Sequence, residues 1–476
     1  MKTWNDRLAL QWARLSPAML PFADVATAEL PLGRLLRLSL FQVSVAIAVV
    51  LLNGTLNRVM IVELGMSSSV VALMVSLPLL FAPFRALIGH RSDTHRTALG
   101  WRRAPFIWIG SLLQFGGLAI MPFALILLSG DTIGPSWIGA TGAALAFLLV
   151  GVGMHTTQTA GLALATDIAA AESRPRVVAF LYVMLLVGTV VGSLLFGALL
   201  ADFSQLRLIQ VIQGSAVVTV VLNVIALWKQ EARRPTHDRA DVDPDFYTMW
   251  HTFADAPGAR RTLVAIGLGT AAFSMQDILL EPYGGEVLHF TVGETTALTG
   301  MLAAGTLAGF AVAASQLSRG IDTYRIAASG ALAGLIAFPS VMLSGPIESA
   351  ALFRIGTILI GFGGGLFSVG SLTAAMEIAA KGANGMALGA WGAVQATAAG
   401  LAIASSGAIR DGITKLAGAG ALGPAFQSPA SGYNVVYLIE IILLFATLAV
   451  AGPLVGRSRL AGRQLSSRFG IAEFPG

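Results

Sequence analysis

The 476-residue sequence has no cysteine and few charged residues, and both shortages narrow its class. Without cysteine it cannot form disulfides, thiolate metal sites or iron–sulfur clusters, and it cannot use a thiol in catalysis. Charged residues make up only 12% of the chain, whereas 55% of the residues are hydrophobic and 54 are glycine. Together with a mean hydropathy of +0.76, this composition predicts helices packed in a membrane rather than a soluble domain or a β-barrel.

Sequence motifs of the common enzyme classes are also missing. The chain has no phosphate-binding P-loop, no nucleophile elbow and no paired histidines that could hold two metal ions. Its longest interior polar segment, residues 229–261, is too short to be a catalytic domain. We therefore predict that the protein is not an enzyme. The net charge of +5 does not indicate nucleic-acid binding, because basic loops are usual in membrane proteins.

Twelve apolar stretches, each of roughly the length that crosses a hydrocarbon layer, recur along the chain. They lie at about 38–60, 68–88, 105–128, 137–167, 177–201, 207–228, 262–284, 295–315, 326–345, 350–377, 385–408 and 433–455. The 37-residue leader before them is too polar for a secretory signal peptide. In the leader, Trp4, Leu8 and Trp12 share one helical face, which predicts a short helix in the membrane interface.

Lys and Arg residues fall unevenly on the two sides of the predicted membrane. Of the 30, 25 lie in segments on the side of the N-terminus and 5 on the opposite side. Cytoplasmic loops carry an excess of Lys and Arg. The distribution therefore predicts that both termini are cytoplasmic, and it supports an even number of spans.

The chain repeats itself at an offset of 210 residues. The segment from Gly151 to Asp167 aligns without gaps with the segment from Gly361 to Glu377, including the acid and the Ile that follows it. Two related six-helix bundles joined by a long loop predict an all-α membrane protein with the major facilitator fold. Its predicted parts are the leader 1–37, an N-terminal bundle 38–228, a central loop 229–261, a C-terminal bundle 262–455 and a basic tail 456–476.

The loops after spans 2 and 8 share the pattern Asp-Thr-x-Arg. The first loop resembles the major facilitator signature, although four extra residues separate the two parts of that signature. Acids and arginines at helix ends can form an interhelical charge network that latches one face of the bundle. Alternatively, these residues serve only as cytoplasmic positive charges. The latch candidates are Gly89, Asp93, Arg96, Arg102, Arg103, Asp322 and Arg325.

Span 4 carries a histidine near the middle of the predicted membrane. His155 lies twelve residues before Asp167, or about 18 Å along a helix. Gln158 shares its face, and Gly151 and Gly161 leave space for a flat group or for another helix. A neutral imidazole can coordinate the metal of a tetrapyrrole. The alternative is a histidine that is hydrogen-bonded between helices.

Span 7 ends with acidic and amide residues. Gln276 and Asp277 lie in its outer part, Glu281 follows Asp277 by one turn, and Pro282 then ends the helix. Two carboxylates at this spacing could share a proton, bind a cation or accept hydrogen bonds from a ligand. The alternative is a packing corner at the rim. Glu440 in span 12 is a further buried acid, for which we expect a polar partner on a neighbouring helix.

Several segments together resemble the PucC family, the bacteriochlorophyll-delivery branch of the major facilitator superfamily in phototrophic bacteria. Within that family the chain is most similar to the LhaA members, which are associated with the core light-harvesting 1 antenna. The resemblance covers roughly residues 20 to 455. The segments that carry it are Leu36–Ser44, Gly54–Gly65, Ala82–Asp93, Thr159–Asp167 and Met275–Gly285.

The resemblance implies an assembly factor in the bacterial inner, intracytoplasmic membrane that binds antenna alpha and beta polypeptides and delivers bacteriochlorophyll a, with carotenoid as a second pigment. The reaction-centre core complex, the enzymes of bacteriochlorophyll synthesis and membrane lipid are further implied partners. The candidate pigment contacts are His155, whose imidazole would be an axial ligand of the chlorin magnesium, Gln158, Gly151, Gly161 and Gln276. Two alternatives stay open: a proton-coupled transporter of a small amphipathic solute that uses Asp277 or Glu281, and a purely structural scaffold.

Overall fold

The structure, a computed structural model, describes residues 30–80, 101–128, 135–170, 173–231, 256–378 and 384–456. In these residues every regular element is helical, and each predicted span contains a helix. Eleven helices are long and apolar enough to cross a membrane, and span 2 is described only over its first 13 residues. The predicted all-α membrane architecture is confirmed.

The spans follow one another in chain order. Spans 1 to 6 comprise Leu32–Glu63, Ser68–Leu80, Ala104–Leu128, Ser136–Ile168, Arg174–Leu199 and Gln205–Leu227. Spans 7 to 12 comprise Ala259–Glu286, Val292–Ser318, Thr323–Ser344, Ala350–Ile378, Asn384–Gly418 and Ser431–Ala451. Span 11 continues ten residues beyond its predicted end.

Two spans depart from regular α-helix. Span 1 changes to wider π-helical turns at Val50–Leu56 and Val59–Glu63. Span 7 consists of an α-helix Ala259–Ser274, a 3-10 turn Met275–Ile278 and a short helix Leu280–Glu286. Breaks of this kind are stable in a membrane only where neighbouring protein satisfies the freed backbone groups. They therefore mark where the spans are enclosed by other helices.

Glycines let spans pack closely in both halves. A methyl group on Gly153 of span 4 would lie 2.6 Å from the Gly110 carbonyl oxygen of span 3. At the repeat position, a methyl group on Gly363 of span 10 would lie 2.7 Å from the Gly330 carbonyl oxygen of span 9. No side chain fits at such distances. The 210-residue repeat is therefore a repeat of helix packing as well as of sequence.

The two halves meet mainly through spans 2 and 11 and through spans 5 and 8. We call the end of the bundle near residues 30 and 456 the terminal end, and the end at the 64–67 turn the far end. At the contact of spans 5 and 8, a methyl group on Gly197 would lie 2.9 Å from the Gly293 carbonyl oxygen. The leader up to residue 29, most of the central loop and the tail beyond residue 456 lie outside the described residues. The domain boundaries there, and the cytoplasmic placement of the termini, stay predictions.

Candidate functional site

A groove opens on the outer surface of the N-terminal half between spans 5 and 6. Its volume is about 720 Å³. We call it the lateral groove. Span 1 forms its floor and the two flanking spans form its walls. The lining residues are Val43, Ile47, Gly188, Val191, Gly192, Leu195, Phe196, Ala198, Leu199, Arg207, Gln210, Val211, Gly214, Ser215, Val218 and Leu222.

The lateral groove exists because spans 5 and 6 both pack on span 1 and barely touch each other. Gly188 lies against span 1, where an added methyl group would be 3.0 Å from the Ala46 side chain. On span 6, Gly214 has no atom within 4 Å of such a methyl group. Small residues on span 5 thus let that span pack closely on span 1. Gly214 on span 6 leaves space on the opposite side of the groove.

The surface of the lateral groove is apolar along most of its length and polar near the far end. Val191, Leu195 and Val218 are each exposed. Near the far end, Arg207 and Gln210 on span 6 are exposed, and the Arg207 guanidinium donates to the Asp202 carbonyl oxygen at 2.9 Å. The groove therefore suits an elongated apolar molecule with a polar edge.

The corresponding spans of the C-terminal half, 11 and 12, lie closer together. They pack against each other as well as on span 7. The Arg410 guanidinium lies over the Tyr433 ring at 4.7 Å, and a methyl group on Gly432 would lie 2.7 Å from the Arg410 carbonyl oxygen. These contacts hold spans 11 and 12 together near the far end, whereas spans 5 and 6 barely touch each other.

His155 is half-buried on span 4 and does not line the lateral groove. One turn along, the Gln158 amide donates to Gln42 Oε1 of span 1 at 3.3 Å. Nearby, Ser44 donates to Gln114 Oε1 of span 3 at 3.2 Å. Gln42 Nε2 and Gln114 Nε2 are buried without a hydrogen-bond partner. Neutral amide donors thus collect between spans 1, 3 and 4, where they could bind carbonyl groups. The pigment contact predicted for His155 and Gln158 stays a prediction.

The two glycines beside His155 are covered by protein. A methyl group on Gly151 would overlap Pro78 of span 2, and one on Gly161 would lie 2.7 Å from the Phe41 ring of span 1. Gly151 thus lets span 2 approach span 4, and Gly161 leaves space for the Phe41 ring. The pigment contacts predicted for both glycines stay predictions.

The break in span 7 collects polar groups from spans 7 and 12. Glu440 is fully buried, and its Oε1 accepts from the Gln276 backbone N–H at 2.7 Å. The Gln276 amide donates to Asp277 Oδ1 and to the Phe273 carbonyl oxygen. Asp277 is half-buried. Glu440 therefore contacts a polar group on a neighbouring helix, and Asp277 and Gln276 form part of the same cluster. Their functional roles stay predictions.

Glu281 lies apart from that cluster, between the two halves. Its Oε1 accepts from Thr299 Oγ1 at 2.9 Å and its Oε2 accepts from Asn57 Nδ2 of span 1 at 3.2 Å. Close by, the hydroxyl oxygens of Thr55 and Thr296 are 3.2 Å apart. Both carboxylate oxygens of Glu281 thus accept hydrogen bonds from protein donors, and its functional role stays a prediction.

A second polar contact joins the halves at the far end. Asp411 of span 11 accepts from the backbone N–H groups of Ser68 and Ser69, at 3.2 and 2.7 Å, and from the Ser69 hydroxyl at 2.6 Å. It thereby caps span 2, whose first N–H groups have no helical partner. Arg410 next to it pairs with Glu286 of span 7. The far end is therefore held closed by contacts between side chains and helix ends.

The predicted charge latch is described only in part. Gly89, Asp93 and Arg96 lie outside the described residues. Arg102 and Arg103 both pair with Asp167, at 2.7 and 3.0 Å. In the other half, Asp322 Oδ1 accepts from the Tyr324 and Arg325 backbone N–H groups and its Oδ2 accepts from the Gly456 N–H. The Arg325 side chain is exposed. Asp322 therefore acts as a helix cap, and the latch function stays a prediction.

Sequence reasoning did not find three features of the site. The lateral groove depends on the spacing of two spans, which hydropathy does not show. Asp411 had a visible signal, an Arg-Asp pair at the end of an apolar run. Glu231 accepts from the backbone N–H groups of Arg102, Arg103 and Ala104 and so caps span 3. Its position in the polar central loop gave no hint of this.

Comparisons with known proteins show which family the chain resembles. A sequence model of the family described as PUCC protein matches residues 55–459. The chain is 55% identical over 474 residues to a Rhodobacter capsulatus protein described as "Uncharacterized protein in puhA-bchM intergenic region", with 98% of each chain covered. It is 58% identical over 408 residues to Protein PucC of Rhodovulum sulfidophilum, covering 84% of this chain and 90% of the relative.

A solved structure confirms the fold. The bacterial homolog of the human lysosomal transporter Spinster, in an inward-facing and unoccupied conformation, matches with a TM-score of 0.68. The match covers 91% of this chain and 98% of that chain at 16% sequence identity. At this identity the likeness shows the fold alone. The predicted major facilitator arrangement is confirmed, and the protein is an integral membrane protein.

Proposed function

We propose a function from the premise that the chain belongs to the PucC family, as the match over residues 55–459 and relatives 55% and 58% identical show. It is an assembly factor of a bacterial light-harvesting antenna, and light-harvesting 1 is the antenna we favour. It binds antenna alpha and beta polypeptides in the intracytoplasmic membrane and delivers bacteriochlorophyll a and carotenoid to them. It catalyses no reaction of its own.

The lateral groove is the observation that carries this proposal. Its volume of about 720 Å³ is within the range of about 300–1,000 Å³ that is usual for ligand sites. It faces the surrounding lipid, so a pigment or a single transmembrane helix could enter sideways without crossing the bundle. The exposed Gln210 and Arg207 at one end would hold polar groups of the cargo, while the apolar walls contact its body.

The amide groups near His155 give a second, separate place for a pigment. The unpartnered Nε2 atoms of Gln42 and Gln114 are donors, and buried donors normally have an acceptor. The carbonyl substituents of a chlorin would supply such acceptors. Because His155 does not line the lateral groove, variants at the two places can be tested independently.

The main test isolates the protein from phototrophic membranes in mild detergent and measures its absorption spectrum and the antenna polypeptides that copurify. Gly214→Leu fills the lateral groove, since Gly214 has free space on all sides. Gly116→Leu on span 3 is the matched control, because Gly116 also has no atom within 4 Å and does not line the groove. His155→Ala tests the amide site.

We expect the unmodified protein to copurify with pigment and antenna polypeptides. Gly214→Leu should reduce their yield at least severalfold, whereas Gly116→Leu should leave it unchanged. If His155→Ala removes pigment absorbance while antenna polypeptides are retained, the pigment lies in the bundle and the groove holds the polypeptide. A colourless protein that copurifies with no antenna polypeptide contradicts the proposal.

One observation, the break in span 7, favours the transporter alternative. A crosslink between the two halves can distinguish a transporter from an assembly factor. Replacing Thr55 and Thr296 with cysteine puts two thiols where hydroxyls are 3.2 Å apart, in a chain that has no other thiol. The disulfide would fix the two halves together. We expect antenna assembly to continue in the crosslinked protein, because the lateral groove belongs to one half. If the protein is a transporter, the disulfide should stop substrate transport, and a reductant should restore the transport.

A further inference from the structure

The break in span 7 contains oxygen atoms that are buried and lack a partner. Glu440 is 0% exposed and Gln276 is 1% exposed. One Glu440 oxygen, Oε1, accepts from the Gln276 backbone, while Oε2 has no hydrogen-bond partner. The Gln276 side chain likewise uses its Nε2, while its Oε1 has none. Buried polar atoms normally have a partner, so these two oxygens in one cluster are available to a ligand.

The titratable side chains at the break are all carboxylic acids. Asp277 joins the cluster through the Gln276 amide, and Glu281 follows Asp277 by one helical turn. In the described part of the chain, neither Asp277 nor Glu440 has an ion pair with Lys, Arg or His. An isolated carboxylate is costly in a membrane, and a bound cation would offset that cost.

The backbone at the break contributes a partial negative charge. The first helix of span 7 ends at Ser274, and a helix C-terminus carries a partial negative charge. In membrane transporters, the ends of interrupted helices and their freed carbonyl groups are where sodium ions or protons bind. The interruption at Met275–Ile278 puts such an end directly beside Gln276 and Asp277.

We propose that the break in span 7 binds a sodium ion, with oxygen ligands from Glu440, Gln276 and Asp277. All the possible ligand atoms of these three side chains are oxygens, and oxygen ligands favour a hard cation over a transition metal. Calcium takes about six to eight oxygen ligands, and the described residues contain no group of three or more His, Cys, Asp or Glu side chains that could hold a metal ion. Two carboxylates and an amide oxygen suit a monovalent ion better.

Asp277 gives the ion a way in. It is half-buried, whereas its neighbours Gln276 and Ile278 are buried. Glu281 one turn further is not part of the site, because Thr299 and Asn57 already occupy both of its oxygens. The sodium site thus has one ligand at its entrance and two in its interior. It is independent of the proposed assembly function.

The test measures thermal unfolding of the purified full-length protein in detergent as choline chloride is replaced by sodium chloride at constant ionic strength. A ligand that binds only the folded state raises the Tm with its concentration. We expect the Tm to rise by about 5 °C between 1 and 200 mM sodium. Glu440→Gln and Asp277→Asn keep the side-chain shape and should reduce this rise to below about 1 °C.

Glu281→Gln is the matched control. It also removes a buried carboxylate from span 7, and we expect it to lower the Tm equally at all sodium concentrations while keeping the rise. Where Glu440→Gln yields no folded protein, Gln276→Ala takes its place with the same expected loss. A Tm that is independent of sodium in the unmodified protein overturns the proposal, as does a full rise in Glu440→Gln. A response to pH alone, without sodium, identifies a proton site and also overturns it.

Discussion

The two halves of the molecule share their helix packing but differ in the polar groups that they enclose. In both, glycines at repeat positions bring the fourth helix of the half onto the third. The interior of the N-terminal half holds neutral amides and hydroxyls, such as the Gln158–Gln42 and Asn223–Ser111 pairs at 3.3 and 2.8 Å. Such groups can bind a neutral ligand without the cost of burying a charge.

The interior of the C-terminal half contains carboxylates instead. Asp277 and Glu440 lie there together with a cluster of tyrosines in which the Tyr283 and Tyr433 rings are 5.5 Å apart, and Glu281 lies between the two halves. Charged groups require partners or counter-ions, so this half suits a cation and a fixed structure. The comparison teaches that two halves of one duplicated fold can differ in the ligands that they suit. The N-terminal half has an open apolar groove, and the C-terminal half has buried carboxyl groups.

The shared glycine packing gives the largest expected effect. We predict that Gly153→Leu and Gly363→Leu each cost more than about 3 kcal/mol of stability, because the new side chain would overlap backbone atoms rather than a movable side chain. The measurement is the fraction of folded, monodisperse protein extracted in detergent. Gly116→Leu, which meets open space, is the control.

If only one of the two variants failed to fold, the two halves would not depend on equivalent helix packing. The halves would then be alike in sequence but not in packing. Equal loss in both would show that the repeat is maintained by the same backbone contact. The Gly116→Leu control should extract as well as the unmodified protein.

Substitutions at His155 and at its counterpart in the other half should have a smaller effect, and one of unequal size in the two halves. Its counterpart is Gly365, where a methyl group would lie 2.6 Å from the Thr306 carbonyl oxygen of span 8. We predict that Gly365→His costs about 2 kcal/mol or more, whereas His155→Gly costs about 1 kcal/mol through helix propensity. The Tm of each variant in detergent is the measurement.

His155→Ala separates the loss of the imidazole from the effect of glycine on the helix. It should unfold at a temperature between those of the unmodified protein and His155→Gly. If Gly365→His is as stable as His155→Gly, spans 8 and 10 do not pack closely at Gly365. The two halves would then differ less in packing at this position than their contacts indicate.

The sequence predicts the spans, the two halves and the buried acids well, because each leaves a local signal. A run of about 20 apolar residues has few alternatives to a membrane helix, and a carboxylate such as Glu440 stands out within it. The repeat at Gly151 and Gly361 is likewise visible without a structure.

The remaining features depend on how helices lie relative to one another. The Asp411 carboxylate caps a helix that begins 343 residues earlier in the chain, and nothing local in the sequence joins the two. The lateral groove is an absence of contact between spans 5 and 6, which depends on their tilt. The sequence showed that Gly188 and Gly192 are small, but not that they would pack on span 1 and leave a groove beside them.

The smallest expected effect distinguishes a helix cap from a charge latch at Asp322. Asn caps a helix about as well as Asp, so as a cap Asp322→Asn should cost only a few tenths of a kcal/mol and Asp322→Ala about 1 kcal/mol. A latch depends on the negative charge of Asp322, and both variants remove that charge. If Asp322 acts as a latch, the two variants should therefore lose equal stability. The Tm of each variant, with Asp202→Asn at a 95% exposed carboxylate as the control, decides between them. We expect unequal losses, because the carboxylate oxygens of Asp322 accept from the Tyr324, Arg325 and Gly456 backbone N–H groups.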